Sequence, residues 1–107
     1  MAVKITVIYD NPIDPEQFEV AYEKDQIELA CTMPGVMQVE ASKVCPKEDG
    51  SATPAYRMLD MYFPDYETAS KAVLSPTADE MLPKILDMAT GGCRIVFSLV
   101  ETSSVVP

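Results

Sequence analysis

The amino-acid sequence predicts an α+β fold with the element order β-α-β-β-α-β, the ferredoxin-like arrangement of one antiparallel sheet with helices on one face. Three observations predict this order. Four segments have the apolar patterning and the length of strands. Helix-start signals at Asp14 and Asp65 lie between the first two and the last two of these segments. The sequence PKEDGSATP separates the middle two and is typical of a hairpin tip.

The first strand and the first helix are the most clearly marked elements. Residues 3–9 alternate between an apolar face and a mixed one, as a strand does. Asp14 is expected to cap the first helix, with Pro15 at its first position and Gln17 at capping-box spacing. The helix is expected to continue to about residue 33, where Met-Pro-Gly ends it.

The second half of the chain repeats the alternation of strand and helix. Further strands are expected at residues 36–45, 55–63 and 93–101. Asp65 is expected to cap a helix to about residue 74, and Ser75 and Pro76 to start another. Pro83 is expected to begin or kink a further short helical piece. The tail after residue 101 is expected to be short and able to exchange with a partner chain.

The strand at residues 55–63 carries large apolar side chains on both faces, and such strands are usually covered on both. The helices cover one face, so the other face needs a second cover. Its residues are expected to include Ile8, Val96 and Val100, or their alternates. Packing against a second copy, sheet to sheet, provides that cover, so the sequence predicts a homodimer that forms an α+β barrel.

Length, charge and apolar content narrow the class of protein. A chain of 107 residues is expected to form one domain, residues 1–107. Its 17 acidic and 8 basic residues give a net charge of −9, which argues against nucleic acid or an anionic membrane as a partner. No apolar run is long enough to span a membrane, and the first residues resemble a strand rather than a secretion signal. We therefore expect a cytoplasmic protein.

Histidine is absent, which excludes Ser-His-Asp and Cys-His catalysis and any imidazole metal site. The cysteines, Cys31, Cys45 and Cys93, are far apart and odd in number, so free thiols are expected rather than disulfides or a metal knuckle. No pattern of carboxylates supports a Mg²⁺ or Ca²⁺ site. We expect no metal and no cofactor.

Several segments resemble the EthD family, named from ethyl tert-butyl ether degradation. The stretch YEKDQIELACTMPGV resembles the family signature Y-x-x-x-H-x-P-L-A-x-x-L-P-G. AYRMLDMYF is similar to the family's third strand, and ATGGCRIVFSLVE to its glycine-bearing approach to the last strand. The resemblance extends over about residues 3–101, with every element in order.

The resemblance implies a dimeric α+β barrel. That group includes cofactor-free quinone-forming monooxygenases, muconolactone isomerases and small proteins of unsettled role. This chain departs from the signature at two positions, where Gln26 replaces the usual His and Glu28 the usual Pro. The resemblance also implies that position 26 faces the cleft between the first helix and the sheet.

The positions of Asp25 and Gln26 on the first helix decide whether they can line that cleft. At about 100° per residue, Phe18, Tyr22, Leu29 and Met33 fall within a sector about 60° wide. Asp25 and Gln26 lie on opposite shoulders, each about 50° from its centre. Both are therefore expected either to hydrate normally or to reach into the cleft.

The candidate ligand-pocket residues are Tyr9, Tyr22, Asp25, Gln26, Asp60 and Tyr62. The amide of Gln26 has no usable pKa, so it is expected to hold a carbonyl or phenol by hydrogen bonds or to stabilise an oxyanion. A partly buried Asp60 is expected to be either a base or a carboxylate held by a tyrosine, Arg57 or a backbone N–H. The tyrosines fit an aromatic ligand, or an ordinary core.

Arg57 and Arg94 have two alternatives as well. They are expected to pair with acidic neighbours across the dimer, or to bind a ligand carboxylate. No catalytic residue is identified.

Three functions remain open. In the first, the chain is a binding or accessory protein for a small aromatic, polyketide-like or lactone metabolite of a degradative or biosynthetic pathway. Alternatively it is a cofactor-independent monooxygenase or an isomerase or cyclase using the same cleft, with Tyr22, Gln26 and Asp60 as orienting groups. In the third, only the dimer is kept and the cleft is collapsed. A cleft filled by Phe18, Tyr22 and Met33 is expected to overturn both of the first two.

Overall fold

The computed structural model describes residues 1–107 and confirms the predicted ferredoxin-like fold. Four antiparallel strands have the spatial order β2-β3-β1-β4. The strands are β1 (Val3–Tyr9), β2 (Gln38–Lys43), β3 (Arg57–Phe63) and β4 (Cys93–Leu99). The first strand has its predicted bounds, whereas the other three are shorter than predicted, because strand patterning continues into residues that pair only through isolated hydrogen bonds.

The strand register gives the sheet two different faces. On the helix-covered face, Val3, Ile5, Val7 and Tyr9 of β1 are buried against the helices, together with Leu59, Met61 and Phe63 of β3. Opposite them, the open face carries mixed polar and apolar side chains, namely Lys4, Thr6, Ile8, Gln38, Glu40, Ser42, Met58, Asp60, Tyr62, Arg94, Val96 and Ser98. Ile8 and Val96 therefore lie on the open face, as expected, but among more polar groups than a purely apolar cover needs.

The first helical segment has three parts, α1 (Pro15–Ala21), a π-helical turn (Tyr22–Gln26) and α2 (Ile27–Cys31). The Asp14 carboxylate accepts a hydrogen bond from the Gln17 backbone N–H, which confirms the predicted cap. The segment ends slightly earlier than predicted. Gly35 then turns the chain with φ at 81°, a conformation that favours glycine.

The second helical segment consists of α3 (Tyr66–Ala72) and α4 (Pro76–Met88). Asp65 and Ser75 cap these helices as predicted, accepting hydrogen bonds from the Thr68 and Ala78 backbone N–H groups. The predicted separate piece at Pro83 is wrong, because α4 is one 13-residue helix with this proline inside it. Met81 and Ile85, two residues to either side of Pro83, are both buried in the core.

The core lies between the helices and the sheet, and its side chains come from every helix and from β1 and β3. The β4 strand is less well covered, since Ile95, Phe97 and Leu99, on the helix side, are 40% to 59% exposed. No helix has the length and apolar character that a membrane-spanning helix requires.

Candidate functional site

A cluster of aromatic and amide side chains is buried where the first helical segment crosses the end of β1. Tyr9 and Gln26 have no exposed surface, and Phe18 and Tyr22 have almost none. The Phe18 and Tyr22 rings stack with centroids 5.6 Å apart, and the Tyr9 ring meets both edge-on, at 5.1 Å and 6.1 Å. We refer to Tyr9, Tyr22 and Gln26 as the buried polar cluster.

Hydrogen bonding within the buried polar cluster is incomplete. The Gln26 amide Nε2 donates to the Tyr9 hydroxyl at 3.1 Å. The other amide atom, Gln26 Oε1, and the Tyr22 hydroxyl are both buried and have no partner. A buried polar atom without a partner costs about 1–3 kcal/mol of stability, so a folded chain rarely keeps two together. The cluster can therefore accept one hydrogen bond and make another with a molecule that enters it.

The π-helical turn explains why Gln26 is buried rather than on a shoulder. Each backbone hydrogen bond of a π-helix spans five residues instead of the four of an α-helix, so a π-helical turn contains more residues. Each residue therefore rotates the chain by less than the roughly 100° of an α-helix. Over Tyr22–Gln26 this rotates Gln26 toward the centre of the buried stripe. Ala30 is consequently buried, and Leu29, which the α-helical wheel places in the stripe, is only half-buried. Such single π turns occur frequently at functional sites.

Asp25 is rotated away from the buried polar cluster by the same turn. Its carboxylate contacts the Lys84 ammonium of α4, and Lys84 also lies 3.7 Å from Glu80. The structure therefore places Asp25 in an ion pair between the helices at the surface, apart from the other candidates.

Asp60 and Tyr62 lie on the open face of the sheet, on the opposite side from Gln26. The Thr6 hydroxyl donates to Asp60 at 2.5 Å, and the Lys4 ammonium lies 3.9 Å from it. The group that holds Asp60 is thus Thr6 with Lys4, and not a tyrosine, Arg57 or a backbone N–H. The Tyr62 hydroxyl donates to Glu40 at 2.8 Å, and this hydrogen bond, with burial, raises the pKa of Tyr62 to about 12.

The two arginines pair within the chain. Arg94 donates to Asp10 at 2.9 Å. Arg57 donates to both carboxylate oxygens of Glu19, a partner that the sequence alone does not indicate. Its guanidinium also lies 4.8 Å from the centroid of the Tyr22 ring, next to the buried polar cluster. Arg57 begins β3 and Glu19 lies in α1, 38 residues away in the sequence, so no local sequence pattern predicts that they pair.

Burial also affects the acidity of the two phenols in the buried polar cluster. Desolvation, with smaller effects of Tyr22 and Cys93, raises the pKa of Tyr9 far above its usual value. Desolvation likewise raises the pKa of Tyr22, with Glu19 adding to the shift and Arg57 opposing it. Both phenols are therefore protonated near neutral pH and can donate a hydrogen bond.

Three cavities border the helical layer, and none of them is lined by the buried polar cluster; the smallest, of about 220 Å³, lies beside the Asp25–Lys84 ion pair. The α1–α4 pocket, of about 370 Å³, lies between the start of α1 and the end of α4. It is lined by four apolar residues, Ile13, Phe18, Ala21 and Met88, and by the polar residues Asp14, Gln17, Asp87 and Thr90. The α4–β4 groove, of about 230 Å³, has 11 hydrophobic residues among its 12 and only Asp79 as a polar one. Phe18 lines the α1–α4 pocket and also contacts Tyr9 and Tyr22, so its ring separates this pocket from the buried polar cluster.

The cleft beside Gln26 is filled. Phe18, Tyr22 and Met33 are buried around it, and this is the arrangement that counts against an open ligand site there. No group of three or more His, Cys, Asp or Glu side chains is positioned to hold a metal ion.

Sequence comparison finds a curated relative of this chain. It is an uncharacterized 11.0 kDa protein in the thcB-thcC intergenic region of Rhodococcus erythropolis, 29% identical over 99 residues, which are 92% of this chain and 95% of that protein. No protein-family model matches.

Solved structures with the same fold match nearly the whole chain. An EthD family protein from Bacillus halodurans has a TM-score of 0.84 at 20% identity and covers 92% of this chain and 98% of its own. A dimeric ferredoxin-like protein of unknown function from Jannaschia has a TM-score of 0.69 at 14% identity, covering 94% and 100%. SnoaB, a cofactor-independent oxygenase from Streptomyces nogalater, has a TM-score of 0.60 at 12% identity, covering 99% and 96%. The chain therefore has the fold of an EthD family protein over almost its full length, in agreement with the resemblance in its sequence.

Proposed function

We propose that this chain is an EthD-type homodimeric protein that binds a small aromatic, polyketide-like or lactone metabolite at the buried polar cluster, without turning it over. The observation that carries the proposal is the pair of buried atoms without partners, Gln26 Oε1 and the Tyr22 hydroxyl. A ligand hydroxyl can donate to the amide oxygen, and a ligand carbonyl can accept from the phenol. Rings of Tyr9, Tyr22 and Phe18 supply an aromatic surface beside them.

Because Phe18, Tyr22 and Met33 fill the cleft, a pre-formed ligand site at the cluster is overturned, and the proposal is for a site that opens only when the Phe18 side chain moves. The α1–α4 pocket is already open on the outer side of this ring and has a volume in the range of small-molecule sites. Rotation of Phe18 into that pocket would join the two spaces. The open conformer of such a pocket becomes populated when a ligand binds to it and stabilises it.

The α4–β4 groove supports the proposal less well. Nearly all of its lining is apolar, so it offers few groups to orient a hydroxylated or carbonyl-bearing ring. The buried polar cluster combines aromatic surface with free hydrogen-bonding capacity, which is what such a ligand needs.

Binding is favoured over catalysis by the chemistry of the cluster. The raised pKa of both phenols keeps them protonated, and the amide of Gln26 does not titrate, so none of the three can take a proton near neutral pH. Asp60, the carboxylate that was a candidate base, lies on the other face of the sheet. A cofactor-independent oxygenase such as SnoaB has the same fold, and turnover in the same site is the second candidate.

Binding is tested by calorimetric titration of the protein with a panel of phenols, hydroxylated aromatic ketones and lactones. Phe18→Leu, which shortens the separating ring, is expected to bind members of the panel more tightly than the wild type. Tyr22→Phe is expected to bind them at least about tenfold more weakly, the loss of one buried hydrogen bond to a ligand. Tyr66→Phe changes an exposed tyrosine and serves as the matched control. If no compound of the panel binds to the wild type or to any variant, the alternative of a collapsed cleft is supported.

Catalysis is tested by replacing Gln26 with His and measuring product formation from the same panel. The wild type is expected to form no product. Product from Gln26→His alone would mean that the native chain has the site without the proton-transfer group. Product from the wild type would replace the binding proposal by the enzymatic one.

The homodimer is proposed to form through the open face of the sheet, where Ile8, Met58 and Val96 lie among the polar groups. Light scattering is expected to give twice the chain mass of 11.7 kDa. A monomer in dilute solution would overturn this part of the proposal and leave ligand binding untouched. The three cysteines, two of them exposed, are consistent with the cytoplasmic location that we propose.

A further inference from the structure

Three side chains converge on the Glu19 carboxylate. Arg57 donates from Nε to Oε2 and from Nη2 to Oε1, both at 3.0 Å. The Tyr56 hydroxyl donates to Oε1 at 2.9 Å, and the Lys43 ammonium lies 3.3 Å from the same atom. A guanidinium fork, a phenol and an ammonium together form a complete recognition site for one carboxylate.

The donors and the carboxylate differ in how they are held. Arg57 belongs to β3, Lys43 to the paired strand β2, and Tyr56 precedes β3, so the sheet holds the backbone of all three donors. The Arg57 side chain is the least exposed, at 18%, and the Lys43 side chain is 58% exposed. Glu19 projects from α1 with its side chain 24% exposed. Rotation about its side-chain bonds can move this carboxylate into solvent and leave the donors where they are.

The donor site, formed by Arg57, Tyr56 and Lys43, lies next to the rings of Tyr22 and Phe18. Arg57 lies over the Tyr22 ring, and the Tyr56 ring meets Phe18 edge-on with centroids 5.2 Å apart. A carboxylate held in place of Glu19 therefore has an aromatic ring surface directly beside it. A ring carrying that carboxylate can contact this surface, and the Tyr22 ring beneath Arg57 bears one of the two unpaired atoms, its hydroxyl.

We propose that Arg57, Tyr56 and Lys43 form the site for the carboxylate of a hydroxylated aromatic acid, and that Glu19 occupies this site in the unliganded chain. This inference rests on the proposed function and names its ligand class. Arg57 and Lys43 carry two positive charges, and Glu19 carries one negative charge. When an anionic ligand displaces Glu19, the carboxylate of the ligand becomes the negative charge that pairs with Arg57 and Lys43.

The ionisation of Glu19 matches that of the ligand it replaces. Partial burial raises the pKa of the Glu19 carboxyl, but the hydrogen bonds from Arg57, Tyr56 and Lys43 together outweigh burial and lower the pKa below its usual value. The donors thus stabilise an ionised carboxylate, and a benzoate-like acid is ionised over the same pH range.

The experiment compares Glu19→Ala with the wild type in calorimetric titrations at low salt with 3-hydroxybenzoate and with 3-hydroxybenzamide, its uncharged analogue. Removal of the competing carboxylate is expected to tighten 3-hydroxybenzoate binding by at least about tenfold and to leave 3-hydroxybenzamide binding unchanged. Glu16→Ala removes an exposed acid from the same helix and controls for net charge; it is expected to behave like the wild type. Glu19→Gln repeats the test with the side-chain size kept.

A double variant assigns the gain to the donor site. Arg57→Lys in the Glu19→Ala background loses the guanidinium fork and is expected to lose most of the tightening. Equal affinity of Glu19→Ala and the wild type for 3-hydroxybenzoate, or the same gain in Glu16→Ala, would overturn the inference. If neutral ligands still bind and Tyr22→Phe weakens them, the proposed function survives that failure. If the acid binds Glu19→Ala but Tyr22→Phe has no effect on any ligand, the donor site stands and the buried polar cluster is not the binding site.

Discussion

The buried polar cluster and the polar network on the open face of the sheet use similar side chains in opposite ways. On the open face, the Asp60 carboxylate accepts a hydrogen bond from Thr6 and has Lys4 nearby, and Tyr62 donates to Glu40. On the helix side, one hydrogen bond joins Tyr9 to Gln26, and two buried atoms have no partner. The groups that face water are thus better paired than the groups that do not.

The difference separates structural polar groups from groups available to a ligand. A network whose members satisfy one another stabilises the sheet surface and has little left to offer a bound molecule. A buried group without a partner lowers stability in the free chain, and only a ligand or a water molecule can recover that free energy. Removal of a paired group is therefore expected to lower stability in either region, whereas removal of an unpaired buried group is expected to leave stability unchanged or raise it.

The largest effect is expected from Tyr9→Phe. Removal of this hydroxyl leaves the buried Gln26 amide N–H without an acceptor, which is expected to lower the free energy of unfolding by about 1–3 kcal/mol. Urea unfolding followed by circular dichroism measures the change, with Tyr66→Phe as the control at an exposed position. An unchanged midpoint would mean that the amide bonds elsewhere.

Tyr22→Phe is expected to change stability in the opposite direction. The hydroxyl it removes has no partner, so the free energy of unfolding is expected to stay constant or rise by up to about 1 kcal/mol. The ring contacts with Phe18 and Arg57 are kept. The same urea titration measures it, and a loss as large as that of Tyr9→Phe would show that the Tyr22 hydroxyl is paired after all.

Asp60→Asn tests the open-face network. The Thr6 hydroxyl can still donate to the amide oxygen, and the substitution removes the attraction to Lys4 together with the repulsion from Glu40, the cross-strand neighbour. Because both groups of this ion pair are partly exposed, we expect a loss of about 0.5 kcal/mol. A loss above that of Tyr9→Phe would reverse the contrast between the two regions, whereas addition of salt is expected to reduce the small loss further.

The smallest effect is a pH dependence that arises from Glu19. Its pKa is lower in the folded chain than its ordinary value of 4.5, so the unfolded chain binds the proton more readily. The stabilisation is therefore present above pH 4.5 and is lost as pH falls through the folded-state value. The difference in unfolding free energy between the wild type and Glu19→Ala is expected to shrink below pH 4.5, and a constant difference would contradict this.

Much of the fold can be predicted from the sequence because its signals are local. Asp14, Asp65 and Ser75 cap their helices through side chains that contact the backbone three residues later, and β1 alternates over seven residues. The sequence also indicates the position of Gly35. Such features depend on few neighbours, so they are visible without the tertiary structure.

The site could be predicted only in part, because its contacts span long distances in the sequence. Tyr9, Tyr22 and Gln26 do meet, but Asp60 and Tyr62 point to the other face, which depends on the register between β1 and β3. Asp25 pairs with Lys84, 59 residues away. The π-helical turn has no residue signature of its own, so the α-helical wheel assigns Gln26 to a shoulder and Leu29 to the stripe.

The π-helical turn has a consequence for how this chain is aligned with its relatives. A helix that is α throughout needs one residue fewer to reach the same point on the sheet, so the turn acts as a one-residue insertion inside the helix. A gapless alignment of Tyr22–Gln26 with such a helix pairs residues that face different directions. Residues after Gln26 are then compared one position out of step. Equivalence at position 26 is therefore decided by superposing the helices in space, and a deletion within the turn is the mutation that would restore the α-helical register.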